Sequence, residues 1–242
     1  MNQPVISIVE RMQQQVATWS AAGDRRAVFL DCYRLMTANM VAALARGDFA
    51  DSVWVDRLLH RFAGYYFDAL LAYERDDPAT PPIWRMAHQA AQQPRVLILQ
   101  HLMLGVNAHI NYDLTFTVVK LLQPEWETLD PAQQQQRFAD YSLVNQIIAQ
   151  TIDTVQDEVI TRLTPAFFLV DTLLGRVDEW ATVRLLTAWR DVVWSNALEL
   201  LACRDHTSHA AVCHTVESVA LRRAHAILNP TNLAALRALI TP

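Results

Sequence analysis

Apolar residues recur along this chain with the period of helices that pack on one side. Between Val53 and Leu70 they stand three, four or five residues apart, the spacing of an amphipathic helix that faces a core. Similar stripes, separated by prolines, glycines and capping residues, predict ten helical segments. They run at about 4–20, 24–46, 51–73, 83–92, 94–122, 131–163, 165–174, 178–203, 206–228 and 231–240.

Prolines and glycines mark the ends of these segments. Proline suits the first position of a helix, where its missing N–H has no partner in any case. We expect that position for four prolines: Pro4, Pro94, Pro131 and Pro165. Asp130 and Thr164 precede two of them as N-caps, and Gly47 and Gly175 are expected to end helices.

Composition supports an all-helical fold. Of 242 residues 52% are hydrophobic and 19% charged, as in globular proteins. Only five are glycine, a scarcity that excludes glycine-rich phosphate loops and argues against β-sandwiches and barrels. No repeat, low-complexity linker or composition break marks a domain boundary. We therefore predict one all-α domain over residues 1–242, a bundle of about nine or ten helices around a buried central helix at 96–122.

Charge and cysteine usage limit the partners and the compartment. The net charge is −5 and no run of Lys or Arg exceeds two residues, so we expect no nucleic-acid partner. No signal-peptide pattern and no span of 18 apolar residues is found, so we expect no membrane partner. Three cysteines within helical patterns suit a reducing cytoplasm. Scattered Trp and Leu residues on outer faces would allow a homodimer.

The central helix carries an unusual set of polar residues. Both of its ends are apolar all round, which indicates burial, yet its middle reads GVNAHINYD. His109 and Asp113 are four residues apart and therefore share one helical face, whereas Asn107 and Asn111 share a roughly opposite face. Gly105 in mid-helix predicts a close approach by another helix or by a ligand.

The pair His109 and Asp113 supports three hypotheses. Asp113 could fix the imidazole tautomer and make His109 an acid–base catalyst. The two side chains could instead be ligands of a divalent metal, since imidazole and carboxylate suit Zn, Fe or Mn. They could also belong to a hydrogen-bond network that only holds helices together. No cofactor is predicted beyond that divalent metal, which stays an alternative.

Further polar and aromatic residues are candidates for contacts with a substrate. Asn145 could reach the face that carries the two central-helix asparagines. Arg190 lies between tryptophans and could stack on them or pair with a buried carboxylate such as Asp113. His60 and His88, in mixed surroundings, are expected at the surface. The substrate-binding candidates are Asn107, Asn111, Tyr112, His101, Tyr66, Asn145 and Arg190.

Four stretches of the chain resemble one protein family. GVNAHINYDL after LQHLML, FAGYYFDAL, DYSLVNQII and RDVVW are similar to the bacterial family catalogued as domain of unknown function 5995. The resemblance extends from about Asp24 to Trp194, and its Asn-Ala-His-Ile-Asn-x-Asp core is the most specific part. It implies an all-α bacterial protein with this polar helix as its hallmark, and it brings no assigned activity.

These observations lead to one leading hypothesis on function and two alternatives. We expect a small-molecule enzyme with an apolar pocket between helices, in which His109 and Asp113 carry out acid–base chemistry such as cyclisation, elimination, isomerisation or hydrolysis. The first alternative is a metal-dependent hydrolase or oxygenase with these two residues as ligands. The second is a non-catalytic helical protein that binds an apolar ligand or a partner.

Overall fold

The chain forms a bundle of helices. The computed structural model describes residues 7–155 and 176–229, and the side chains of 7–152 and 182–229. Within these ranges there are eight helices and no strand, which confirms the all-α prediction. The helices are α1 Ile8–Ala21, α2 Arg26–Arg46, α3 Ser52–Glu74, α4 Pro82–Ala91, α5 (the consecutive segments Ile98–Asn107, Ala108–Asp113 and Leu114–Leu122), α6 Pro131–Val155, α7 Arg176–Ala202 and α8 His206–Leu228. Two predicted helices, 165–174 and 231–240, lie outside the described residues.

Of the four predicted helix-end positions that lie within the described residues, three are confirmed. Pro131 opens α6, and Asp130 caps it, because its Oδ1 accepts the Gln133 N–H at 2.9 Å. Gly47 ends α2 in the left-handed region with φ 75°. The prediction for Pro94 is wrong: it lies in a turn, and α5 begins only at Ile98. Pro4, Thr164, Pro165 and Gly175 are outside the described residues.

Helix α5 is the centre of the bundle. Its three segments together contact α2, α3, α4, α7 and α8. One apolar core lies around its first half with α1 to α4 and α8, and a second lies around its second half with α2, α3, α6 and α7. Met103 and Val106 of α5 pack against both cores. The polar middle of α5 is therefore enclosed by other helices on most sides.

The middle of α5 departs from the regular α-helix that the sequence predicts. Ala108–Asp113 forms a π-helical turn, in which the Leu114 N–H donates to the His109 carbonyl five residues back. Single π-turns within α-helices occur often at functional sites. This turn holds three of the polar candidates: His109, Asn111 and Asp113.

One helix meets the length and composition of a membrane span. Among the described residues this is α2, Arg26–Arg46, although it contains no unbroken run of 18 apolar residues. In its most apolar window 56% of the residues are buried inside the protein, and core helices commonly meet the same criterion.

Candidate functional site

The π-helical turn joins His109 and Asp113 by a hydrogen bond. Nδ1 of His109 lies 2.9 Å from Oδ2 of Asp113. From α4, the indole N–H of Trp84 donates to both oxygens of the same carboxyl group, at 2.9 and 3.1 Å. All three side chains are at most 3% exposed. Asp113 is thus held by two helices, and it fixes the orientation of the imidazole ring.

Aromatic rings enclose this histidine. The ring of Phe62 is stacked on it at a centroid distance of 3.5 Å and an interplanar angle of 7°. Four further rings surround it at 4.4 to 6.1 Å: Tyr33, Phe29, Tyr66 and Trp84. Except for Tyr66, these rings were not among the sequence candidates. The sequence signal that could have indicated two of these rings is the spacing of four residues between Phe29 and Tyr33, which places both on one face of α2.

Gly105 allows α2 to approach this site closely. A Cβ atom built on Gly105 would lie 2.3 Å from Cγ of Phe29 and 2.8 Å from its Cβ. The close approach that the sequence predicts at Gly105 is therefore made by a helix. Phe29 in turn packs its ring against that of His109, at 5.9 Å between centroids.

Burial determines where the protons of the pair lie. It moves the pKa of His109 well below its ordinary value and the pKa of Asp113 well above. Both shifts favour an uncharged pair with two protons. In an uncharged pair, one proton lies in the bond between Asp113 and Nδ1, because Trp84 can only donate to the carboxyl group, and the other proton lies on Nε2. That buried Nε2 atom has no hydrogen-bond partner in the described structure.

His109 is part of the wall of a large cavity, of about 400 Å³. Helices α2, α3, α5, α6 and α7 form its walls, which are mostly apolar, with Met36, Met40, Leu58, Leu59, Met103 and Ile148 among the lining residues. Leu99 also lines it and is 40% exposed, so the cavity lies next to the protein surface at the start of α5. Its volume is in the range of small-molecule sites.

Arg190 is the second sequence candidate that lines this cavity. Its Nε donates to Oδ1 of Asn145 at 2.7 Å, and its Nη2 donates to the backbone oxygen of Tyr141 at 2.6 Å. Arg190 therefore pairs with Asn145 rather than with Asp113. Asn145, for its part, does not reach the asparagines of α5 but holds the guanidinium at the cavity wall.

Asn107 and Asn111 lie on the side of α5 that faces α8. Asn111 donates to Oδ1 of Asn107 at 2.9 Å, and Asn107 donates to the backbone oxygen of Ala220 at 2.9 Å. Arg223 donates to Oδ1 of Asn111 at 2.7 Å. These bonds join the two helices, and neither asparagine lines the large cavity. The geometry supports a structural role for them rather than contact with a substrate.

The other three candidates also lie away from the large cavity. Tyr66 is buried in the aromatic group around His109. Tyr112 packs against Phe116, and burial raises the pKa of its hydroxyl to about 12. His101 lines a second cavity of only about 20 Å³, where burial lowers its pKa to about 4.

His88 also lines that small cavity, so its predicted place at the surface is wrong. It is 4% exposed and stacked on Trp84 at 5.3 Å, and burial lowers its pKa to about 3. His60, by contrast, is exposed as predicted, with 56% of its side chain accessible. The difference arises because His88 lies on the face of α4 that packs into the bundle, where its ring lies 4.7 Å from that of Tyr73 of α3, measured between centroids.

A metal centre finds limited support in this geometry. No group of three or more His, Cys, Asp or Glu side chains that could hold a metal occurs in the part of the chain described. The facing atoms of His109 and Asp113 bond to each other, and the carboxyl group also accepts from Trp84. A metal held by both residues would have to replace these bonds.

The family indicated by the sequence motifs is confirmed by comparison with known proteins. A family model described as family of unknown function (DUF5995) matches residues 5–230, and the chain belongs to this family. Neither a curated protein nor a solved structure matches it.

Proposed function

We propose that this member of the family is an enzyme that transfers protons on a small, largely apolar substrate bound in the large cavity. His109 is the acid–base group, and Asp113 positions it. One observation carries the proposal: in His109, whose side chain lines the cavity, Nε2 is buried without a hydrogen-bond partner among the described residues, while Nδ1 is fixed by a carboxyl group. An unsatisfied buried donor costs about 1–3 kcal/mol, which a substrate oxygen would recover.

The pair can act first as an acid and then as a base. In the uncharged form, Nε2 carries a proton that it can donate to a substrate atom. The proton shared with Asp113 then settles on Nδ1, and the carboxylate is stabilised by the N–H groups of Trp84 and His109. Return of a proton to Nε2 restores the uncharged pair. Such a cycle suits isomerisation, elimination or cyclisation, in which one proton is given and one taken.

Two other functions remain as alternatives to be tested. The apolar cavity would also suit a protein that binds a ligand without converting it. A hydrolase or oxygenase with a divalent metal on His109 and Asp113 would require the bond between them to open. Elemental mass spectrometry on untagged protein addresses the metal: about one equivalent in wild type, lost in His109→Gln, would favour that alternative.

Deuterium transfer tests the proposed chemistry without knowledge of the substrate. The purified full-length protein is incubated in D₂O with a small-molecule extract of bacterial cells, and carbon-bound deuterium and new products are measured by mass spectrometry. We expect at least one compound to be labelled or converted. His109→Gln should lower that rate about 100-fold or more, the scale of general acid–base catalysis.

The exposed His60 provides a matched control, because His60→Gln makes the same substitution outside the cavity. Its rate should equal that of the wild type. The proposal is contradicted if wild type changes no compound, or if His109→Gln, folded by circular dichroism, is as active as wild type. A compound that binds in the cavity and stays unchanged would favour the non-catalytic alternative.

A further inference from the structure

Arg190 of α7 is a buried cation in the wall of an apolar cavity. It is 3% exposed, and its Cζ lies 4.2 Å from the centre of the Tyr141 ring. The bonds to Asn145 and to the Tyr141 backbone fix the guanidinium from the side of α6. The Tyr141 hydroxyl in turn donates to the Arg190 backbone oxygen at 2.8 Å. Its position is therefore set before any ligand arrives.

All of these partners are neutral. Among the residues described, no carboxylate forms an ion pair with Arg190. Arginine stays protonated in proteins, even where burial lowers its pKa as it does here. The exposed Asp191, the next residue of α7, favours the charged form of Arg190 but forms no ion pair with it. A buried charge without a direct ion pair is costly, and that cost falls when an anion binds beside it.

The guanidinium has donors left for such an anion. Of its five N–H groups, one on Nε and one on Nη2 are used. Two on Nη1 and one on Nη2 have no hydrogen-bond acceptor among the described residues. A planar carboxylate can accept two such parallel N–H groups, which gives a stronger contact than a single hydrogen bond.

The other residues of the cavity wall indicate the chemistry of the part of the ligand that does not contact Arg190. Its walls are formed mainly by Met, Leu, Ile, Val and Phe side chains, and Arg190 is the one lining residue of the Lys, Arg, Asp and Glu types in the described structure. A hydrocarbon body fits these apolar walls. The single positive charge of Arg190 matches a ligand with a single negative charge.

We propose that the substrate is an organic acid with one carboxylate and an apolar body, and that Arg190 binds the carboxylate. This inference rests on the proposed function, because it assumes that the large cavity holds a small molecule. With the carboxylate anchored at Arg190, the body lies along the apolar walls toward His109, which lines the same cavity. Anchoring one end fixes which part of the substrate meets the acid–base group.

Isothermal titration of the full-length protein with decanoate and with 1-decanol tests the inference. The two probes share the chain length and differ in the charge of the head group. We expect decanoate to bind at least tenfold more tightly than 1-decanol. In Arg190→Gln the affinity for decanoate should fall at least tenfold while that for 1-decanol is retained, and Arg190→Lys, which keeps the charge, should restore part of the loss.

Arg204 provides the control, since it is an arginine with 83% of its side chain exposed; Arg204→Gln should bind both probes like wild type. Equal affinities of wild type for the two probes, or an unchanged affinity of folded Arg190→Gln for decanoate, would overturn the inference and leave the proposed function standing. The comparison of probes on wild type needs no variant to fold. If neither probe binds, both this inference and the small-molecule cavity are rejected.

Discussion

The contact between Gly105 and Phe29 predicts opposite effects of the same substitution in two helices. Replacing a mid-helix glycine by alanine stabilises a helix by about 0.5–1 kcal/mol when space allows. At Gly64 of α3 an added Cβ would meet nothing within 4 Å, so Gly64→Ala should raise the free energy of unfolding by about 0.5–1 kcal/mol. At Gly105 the added Cβ would meet Phe29 at 2.3 Å.

The cost at Gly105 can be approximated from the atoms involved. Cβ of Phe29 lies 2.8 Å from the added atom, so a rotation of the ring does not relieve the overlap and α2 itself must shift. Overpacking of this kind costs about 1–3 kcal/mol, and the upper end applies because the Phe29 ring also packs against His109. Alanine favours a helix over glycine by about 1 kcal/mol, and this gain offsets part of the cost. Gly105→Ala should therefore lower the free energy of unfolding by about 2 kcal/mol.

Urea denaturation of both variants, followed by circular dichroism, measures these free energies of unfolding. The two variants should differ by about 3 kcal/mol, the sum of the expected loss and the expected gain. If Gly105→Ala is as stable as Gly64→Ala, α2 does not approach α5 at this point, and the enclosure of His109 is wrong.

Three further predictions concern buried carboxyl and imidazole groups. Asp140→Ala removes the carboxylate that accepts two backbone N–H groups before α3, at 2.9 Å each, and should lower the free energy of unfolding by about 2–3 kcal/mol without changing decanoate affinity. The pKa of His88 is about 3 in the fold, so below pH 6.5 the unfolded chain binds a proton that the folded chain does not, and stability falls as the pH falls. His88→Gln should reduce that slope by up to about 1.4 kcal/mol per pH unit in urea titrations between pH 6 and 4. The pKa of Asp113 is raised in the fold, so above pH 4 the folded chain keeps a proton that the unfolded chain has lost, and the free energy of unfolding falls as the pH rises toward the folded pKa. Asp113→Asn should remove this contribution to the fall. Equal slopes of the free energy of unfolding against pH in the variant and the wild type would contradict the uncharged pair.

The sequence predicts the helices well because their ends are determined by local chemistry. Asp130 and Gly47 act on backbone groups a few residues away, so their effect can be read from the chain. Pro94 shows the limit of this approach: proline is also common in turns, and here the helix starts four residues later.

The site could be predicted only where its contacts are local. The bond between His109 and Asp113 spans one helical turn, and the spacing of four residues indicates it. The donor from Trp84 and the pairing of Arg190 with Asn145 join residues 29 and 45 positions apart. No periodicity encodes such contacts, because they depend on how the helices pack.

The protonation state of His109 tests the central claim most directly. Nitrogen-15 NMR of histidine-labelled protein, with the His109 signal assigned by its loss in His109→Gln, reports which ring nitrogen carries the proton. We predict an uncharged pair at pH 7 with the proton on Nε2, and a change in the Nε2 signal when decanoate fills the cavity. A bare Nε2, or a signal that decanoate binding leaves unchanged, would contradict the role of His109 as an acid at the cavity wall.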